Sequence, residues 1–174
     1  MRVLKWELLG ILFIIFVGSA LHFIFELSGY SAWVAPFAAV NESVWEHLKL
    51  GFWPAVFFAP CEYLFLKKRT CNFVIAKTAA MYVIPLGIVL LFYLYTALLG
   101  HNVFAIDIII FIIAVIIGQM ASYRVLTSSE LSNRENVAAL AAGVFLAVIF
   151  LVFTFYPPHV FIFQDLLTGG YGIP

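Results

Sequence analysis

Charge is scarce in this sequence. Only 10% of its 174 residues are Asp, Glu, Lys or Arg, against 65% hydrophobic, and the mean hydropathy is +1.10. Soluble domains carry about 25% charged residues. The deficit excludes an ordinary water-soluble fold and makes lipid the solvent for most of the chain. Cysteine is scarce too: Cys61 and Cys71 are the only two, too few for a disulfide framework and not spaced as CxxC. Familiar catalytic signatures are also missing. There is no HExxH, GxSxG, P-loop or GxGxxG, and "SVWEH" fails as HxxEH because Ser43 stands where the first histidine would be. No internal repeat is present; "HFIFE" and "HVFIFQD" echo each other only as a chain rich in Phe and Ile will.

Long apolar runs take the place of these features. A helix needs roughly twenty apolar residues to cross a bilayer core, and five segments qualify: residues 8–27, 44–66, 73–99, 103–125 and 137–155. The opening "MRVLKWELLGILFIIFVGSA" has the basic start and small residues of a cleavable signal. Its apolar run continues through Leu21 to Leu27, however, so it reads as an uncleaved first span. The second segment is the least regular, with a polar beginning and with Pro54 and Pro60 each removing a backbone donor. Pro85 does the same in the third. Such breaks are tolerated where protein or trapped water re-satisfies the backbone. The small residues of "VAALAAG" would let a neighbouring helix approach the fifth segment closely.

Basic residues orient the spans. Arg2 and Lys5 precede the first, Lys67, Lys68, Arg69 and Lys77 surround the second junction, and Arg124 and Arg134 flank the fourth. The loop "SGYSAWVAPFAAVN", the loop "GHN" and the tail beyond Phe155 have none. This alternation predicts a cytoplasmic amino terminus and an external carboxyl terminus, with Lys77 snorkelling to the inner surface. All four histidines (His22, His47, His101 and His159) then fall at the outer face, as do Glu26, Glu42, Glu46, Asp107 and Asp165, with Lys49 the only base among them.

Several of these residues have both a structural and a chemical reading. His22 and Glu26 are four apart and share a helical face; ionisable groups at that depth turn toward a bundle interior or a wet cavity, or else the pair simply hydrogen-bonds. In "NESVWEH", Ser43 and Glu46 form the sequence pattern of a capping box, and Asn41 suits the preceding turn. That explains neither Glu42 nor His47. Glu42 and Glu46 at four-residue spacing repel unless a metal ion, a proton or Lys49 lies between them. In the tail, Pro157 and Pro158 end the fifth helix, and "VFIF" is too short to span again. It lies in the interface or folds back, bringing His159 and Asp165 toward the others. Asp107, in "AIDIIIFIIAVII", requires a buried partner or a proton. Glu62, near the basic loop, could pair with Lys67 or Lys77.

"VNESVWEHLKLGFWP", "LHFIFELSG" and "YPPHVFIFQD" with "GYGI" resemble a prokaryotic family of small five-span membrane proteins of unassigned function. The resemblance covers most of the chain. It implies a five-span fold and that the three stretches belong together, and it brings no activity.

The expectation is therefore an all-α polytopic bundle, one transmembrane domain over residues 1–174, whose irregular tail, residues 156–174, folds back on it. It would be a multi-pass protein of the cell membrane. Carboxylates with neutral imidazoles suit a divalent cation, zinc above all. The expected ligands are His22, Glu26, Glu46, His47 and His159, with Glu42, Asp107 and Asp165 as acid–base groups. Three ligands and a water make a hydrolytic centre, which at a lipid–water boundary would act on a lipid or lipid-linked substrate. Partners are membrane lipids and a small-molecule or cation ligand at the outer face. Nucleic acid is excluded by the lack of basic residues there. Two alternatives remain open: a cation or proton transporter, and a scaffold subunit locked by its polar cluster.

Overall fold

The computed structural model describes residues 2–67 and 69–174, and among them only helices and turns form regular elements. Five helices follow one another: α1 (Arg2–Leu27), α2 (Val44–Leu66), α3 (Phe73–Leu99), α4 (Phe104–Leu126) and α5 (Asn133–Phe155). Four of them, α1, α3, α4 and α5, are long and apolar enough to cross a membrane. α2 matches them in length at 23 residues, but Glu46, Lys49 and Glu62 dilute its apolar character. Two helices begin earlier than their apolar runs. α1 starts at Arg2 rather than residue 8, which brings Glu7 inside the helix. α5 starts at Asn133 rather than residue 137, because Ser132 and Glu135 cap each other's backbone amides.

α1 to α4 form a ring in which each helix packs on the next and α4 closes on α1; α5 lies outside, against α3. Burial follows that plan. Thirteen of the 23 residues of α2 are buried, but only Phe150 and Thr154 of α5 are. The most polar of the helices is thus the one best shielded from its surroundings. Ile14, Phe52, Ile84 and Val115 fill the middle of the ring. Ile84 is wedged between glycines: a Cβ added to Gly51 or Gly118 would come within 2.4 or 2.3 Å of its side chain.

The ring has two unlike ends. One carries all four histidines, and the other carries Arg2, Lys5, Lys67, Arg69, Arg124 and Arg134. At the histidine end, residues 28–43 do not simply join α1 to α2. Ala35 and Ala38 are fully buried, and the Phe37 ring stacks edge-on to Trp53 (4.9 Å) and reaches Phe57 (6.1 Å). Phe57 lies about 20 Å along α2 from its start at 1.5 Å per residue, so this loop dips far down the flank of the bundle. Irregular backbone at such depth needs polar partners. Lys49 and Glu46 supply them: Lys49 Nζ donates to the Ala35 carbonyl (2.9 Å), and Glu46 Oε2 accepts from the Val40 amide (3.0 Å).

Beyond α5, Pro157 and Pro158 turn the chain and a single 3-10 turn, Phe161–Phe163, follows. Phe163 packs on Trp45 (4.6 Å), Phe161 on Tyr93 (5.3 Å), and Asn41 Nδ2 donates to the Gly172 carbonyl (2.7 Å). The tail therefore lies back over the histidine end.

Candidate metal centre

Three side chains from separate stretches converge at the histidine end. His22 comes from the penultimate turns of α1, Glu42 from the end of the dipping loop, and His47 from the first turn of α2. Their convergence depends on where α2 begins. Ser43 is its N-cap, and the Ser43 hydroxyl accepts from the Glu46 amide (3.3 Å). Glu42 therefore lies outside the helix and does not share a face with Glu46. The Ser43 amide is taken by Asn41 Oδ1 (2.9 Å), which leaves the Glu46 side chain free to turn inward. The like-charge conflict in "NESVWE" is resolved by separation. Glu46 meets Lys49 in a buried ion pair (2.5 Å), and Glu42 turns to the two imidazoles.

The distances are informative. His22 Nε2 and His47 Nε2 are 3.3 Å apart, and Glu42 Oε2 is 3.4 Å from His47 Nε2 and 3.8 Å from His22 Nε2. A tetrahedral zinc site with bonds of about 2.0–2.1 Å has ligand–ligand edges of roughly 3.3–3.4 Å. Two of the three edges have that length, and the third exceeds it by less than half an ångström. His47 is also set up from behind. Its Nδ1 lies 2.8 Å from the Ser43 carbonyl, which accepts the Nδ1 proton, and its Nε2 faces the other two groups; a metal bound there would take the place of the Nε2 proton that Glu42 accepts. The hydrogen bond between Glu42 and His47 holds the Glu42 carboxyl below its ordinary range, against the opposing effect of partial burial, so it is ionised as a ligand must be.

The cluster forms one wall of a cavity of about 330 Å³, at the lower end of the range for small-molecule sites. The cavity runs between α1 and α4, with Gly18, Leu50 and Phe111 at its apolar depth and Leu166 and Leu167 of the tail over it. Gly18 is required there, since a Cβ would fall 2.4 Å from the Leu50 carbonyl oxygen, which Pro54 has deprived of its helical donor. Ser19, Phe23 and Ile108 also line the cavity while being exposed on the outside of the bundle, so it opens sideways as well as at its end.

The other expected site residues are placed as follows. Asp107 lines the same cavity but belongs to a separate group: Tyr95 donates its hydroxyl proton to Asp107 Oδ1, and Asn102 Nδ2 donates to Oδ2 at 3.4 Å. Asp165 fastens a turn of the tail, accepting from the Leu167 amide (2.9 Å) and the Thr168 hydroxyl (2.7 Å). Burial raises its carboxyl, but those hydrogen bonds outweigh burial and leave it below its ordinary value. It lies close enough to Glu42 for the two charges to oppose each other. Glu46 is occupied by Lys49 and Val40 and does not reach the histidines. Glu26, in the last turn of α1, is exposed and outside the cluster. His159 is exposed and stacks on Tyr171 with ring centroids 4.5 Å apart. Of the five expected ligands the fold thus brings together His22 and His47, and it adds Glu42, expected as an acid–base group.

A second polar group, at the basic end, includes a residue the sequence reading passed over. Lys77 Nζ lies 2.6 Å from both Glu7 Oε1 and Glu62 Oε2, and Ser122 Oγ donates to Glu7 Oε1 (2.9 Å). Glu62 pairs with Lys77, one of the two partners expected. Glu7 was missed because it directly precedes the first apolar run and so looked like flanking polarity. Its one available signal was a lone carboxylate between Trp6 and Leu8.

Residues 1–173 match the family of unknown function DUF6512, and the chain belongs to that family. No curated protein and no solved structure matches it.

Proposed function

We propose that this protein is a five-span protein of the cell membrane that binds a divalent metal, zinc by preference, through His22, Glu42 and His47, and acts on a lipid or lipid-linked substrate. The observation that carries the reading is the set of ligand–ligand distances, 3.3, 3.4 and 3.8 Å, beside an open cavity. Three protein ligands with a vacant fourth direction are the arrangement of hydrolytic rather than structural zinc sites. A metal held there would supply Lewis acidity and a nucleophilic water at neutral pH.

The rest falls to the chain's own residues. Phe23, Ile108 and Phe111 offer an apolar channel open to the side of the bundle, which suits an acyl chain entering from lipid. Asn102 and Asp107 line the same cavity, within range of a polar head group. The Ser43 carbonyl keeps the His47 ring in one tautomer. α2 counts as the fifth span because its neighbours in the ring and the dipping loop cover its charged residues. Placing the basic end in the cytoplasm follows the positive-inside rule.

Transport fits less well. His22 and Glu7 are fifteen residues apart on α1, about 22 Å at 1.5 Å per residue. The layer between them is filled by Ile14, Phe52, Ile84 and Val115, so among the described residues no polar path joins the two ends. Elemental analysis of the purified protein tests the proposal. One equivalent of metal per chain is expected in the wild type, and none in His22→Ala or His47→Ala, with folding yield retained. A well-folded wild type that takes up no metal on reconstitution overturns it. Variants that lose yield while no metal is ever found would point to a scaffold instead.

A further inference from the structure

The group at the basic end has more negative charge than it can pair. Each helix of the ring contributes one member: Glu7 from α1, Glu62 from α2, Lys77 from α3 and Ser122 from α4. Glu7, Glu62 and Ser122 are fully buried, and Lys77 nearly so. Gln119 of α4, also buried, lies alongside: its Nε2 is 2.1 Å from where a Cβ on Gly10, one turn from Glu7, would be. Among the described residues no other ion pair joins the group. Two carboxylates thus share one ammonium ion.

Hydrogen bonding divides the two acids. Glu7 Oε1 accepts from both Lys77 and Ser122, as a carboxylate should. Glu7 Oε2 and both oxygens of Glu62 are buried without a hydrogen-bond partner, although Glu62 Oε2 touches the Lys77 ammonium. Glu7 Oε1 and Glu62 Oε2 each lie 2.6 Å from the same Lys77 nitrogen, which sets the two carboxyls side by side. An unpaired charge in such surroundings is costly, and a buried acceptor without a donor adds to the cost. A single hydrogen ion removes both defects.

We propose that this four-helix knot is a proton-binding site, in which Glu62 carries one proton and donates it to Glu7 while Lys77 neutralises the remaining charge. The ligand is a proton and not a metal, because the Lys77 ammonium already occupies the position a cation would take between the carboxylates. Exchange takes place at the basic end, where Lys77 lies in the second turn of α3. The site is independent of the histidine cluster and would stand if that cluster bound no metal.

Infrared spectroscopy of the full chain in lipid nanodiscs, titrated with alkali, tests this. The wild type should show the carbonyl stretch of a buried protonated carboxylic acid at neutral pH, lost as pH rises. Glu62→Gln, which keeps the shape and donor of the protonated acid, should abolish the band and leave thermal stability unchanged. Glu7→Gln should abolish it too, because Glu62 is then left alone with Lys77 and ionises. The sign in stability follows from linkage: a folded state that holds one proton more than the unfolded chain loses stability as pH rises. The wild type should therefore soften in alkali, and Glu62→Gln should not. A band that survives in Glu62→Gln overturns the proposal. So does a wild type with no such band, or a Glu62→Gln variant as unstable as Glu62→Ala.

Discussion

The two ends of the bundle use the same kinds of side chain for opposite purposes. At the basic end, Glu7, Glu62 and Lys77 are drawn into a dry interior with donors and acceptors pressed together at 2.6 Å. At the histidine end, His22, Glu42 and His47 stand half open beside a cavity, at spacings too long for a tight ion pair and suitable for an ion between them. The Glu46–Lys49 pair, just beneath the histidines, behaves like the basic end: it is buried and fastens the dipping loop. A carboxylate's type does not reveal its use. Whether it faces a fixed ammonium or an open space does.

The sharpest way to break this contrast is to remove a buried cation. Lys77→Met leaves two acids facing each other in the interior and should cost about 3–5 kcal/mol, the usual penalty for breaking a buried pair, read as loss of folded protein in detergent or a large fall in Tm. His47→Ala should hardly move Tm, yet it should weaken metal binding by more than the roughly 10–100-fold that loss of an outer partner costs. A milder perturbation is acid. Metal binding requires both imidazoles neutral, so metal should leave as they protonate. Glu42, its carboxyl held low by its bond to His47, stays ionised at acidities that protonate imidazole. Its stabilising contribution is present at neutral pH and is lost only as pH falls through its depressed folded value. Metal release followed against pH at fixed total metal should therefore move to higher pH in Glu42→Gln, because a more weakly held ion loses the competition with protons sooner. The smallest effects belong to Glu26→Gln and His159→Ala, which should change metal affinity less than about 2-fold, within the range of surface substitutions.

The five helices were legible in the sequence, because long apolar runs announce themselves by hydropathy rather than by detailed packing. The helix ends of α2 and α3 could be read directly. The site was legible as a neighbourhood only. Glu42 and Glu46 look like partners at helical spacing, but Ser43 caps the helix between them and sends one outward and the other in. Glu26 looks like a partner of His22, yet the last turn of α1 leaves it exposed while His22 faces α2. His159 was drawn in by its place in the tail, and stacking on Tyr171 accounts for its actual position. Glu7 became recognisable only when the helix proved to start at Arg2. In each case the missing information was a direction, set by a cap, a fraying turn or a distant ring.

The outlying position of α5 sets an order of assembly. Lys49 Nζ donates to the Thr154 hydroxyl (2.9 Å) as well as to Ala35, and Thr154 is one of the two buried residues of α5. During synthesis the first four helices are made before residue 154, so Lys49 lacks that bond until the last helix has been added. Arrival of the last helix then seals the loop over α2 and delivers the tail that covers the cavity. The histidine end is the last part of the molecule to be completed at birth.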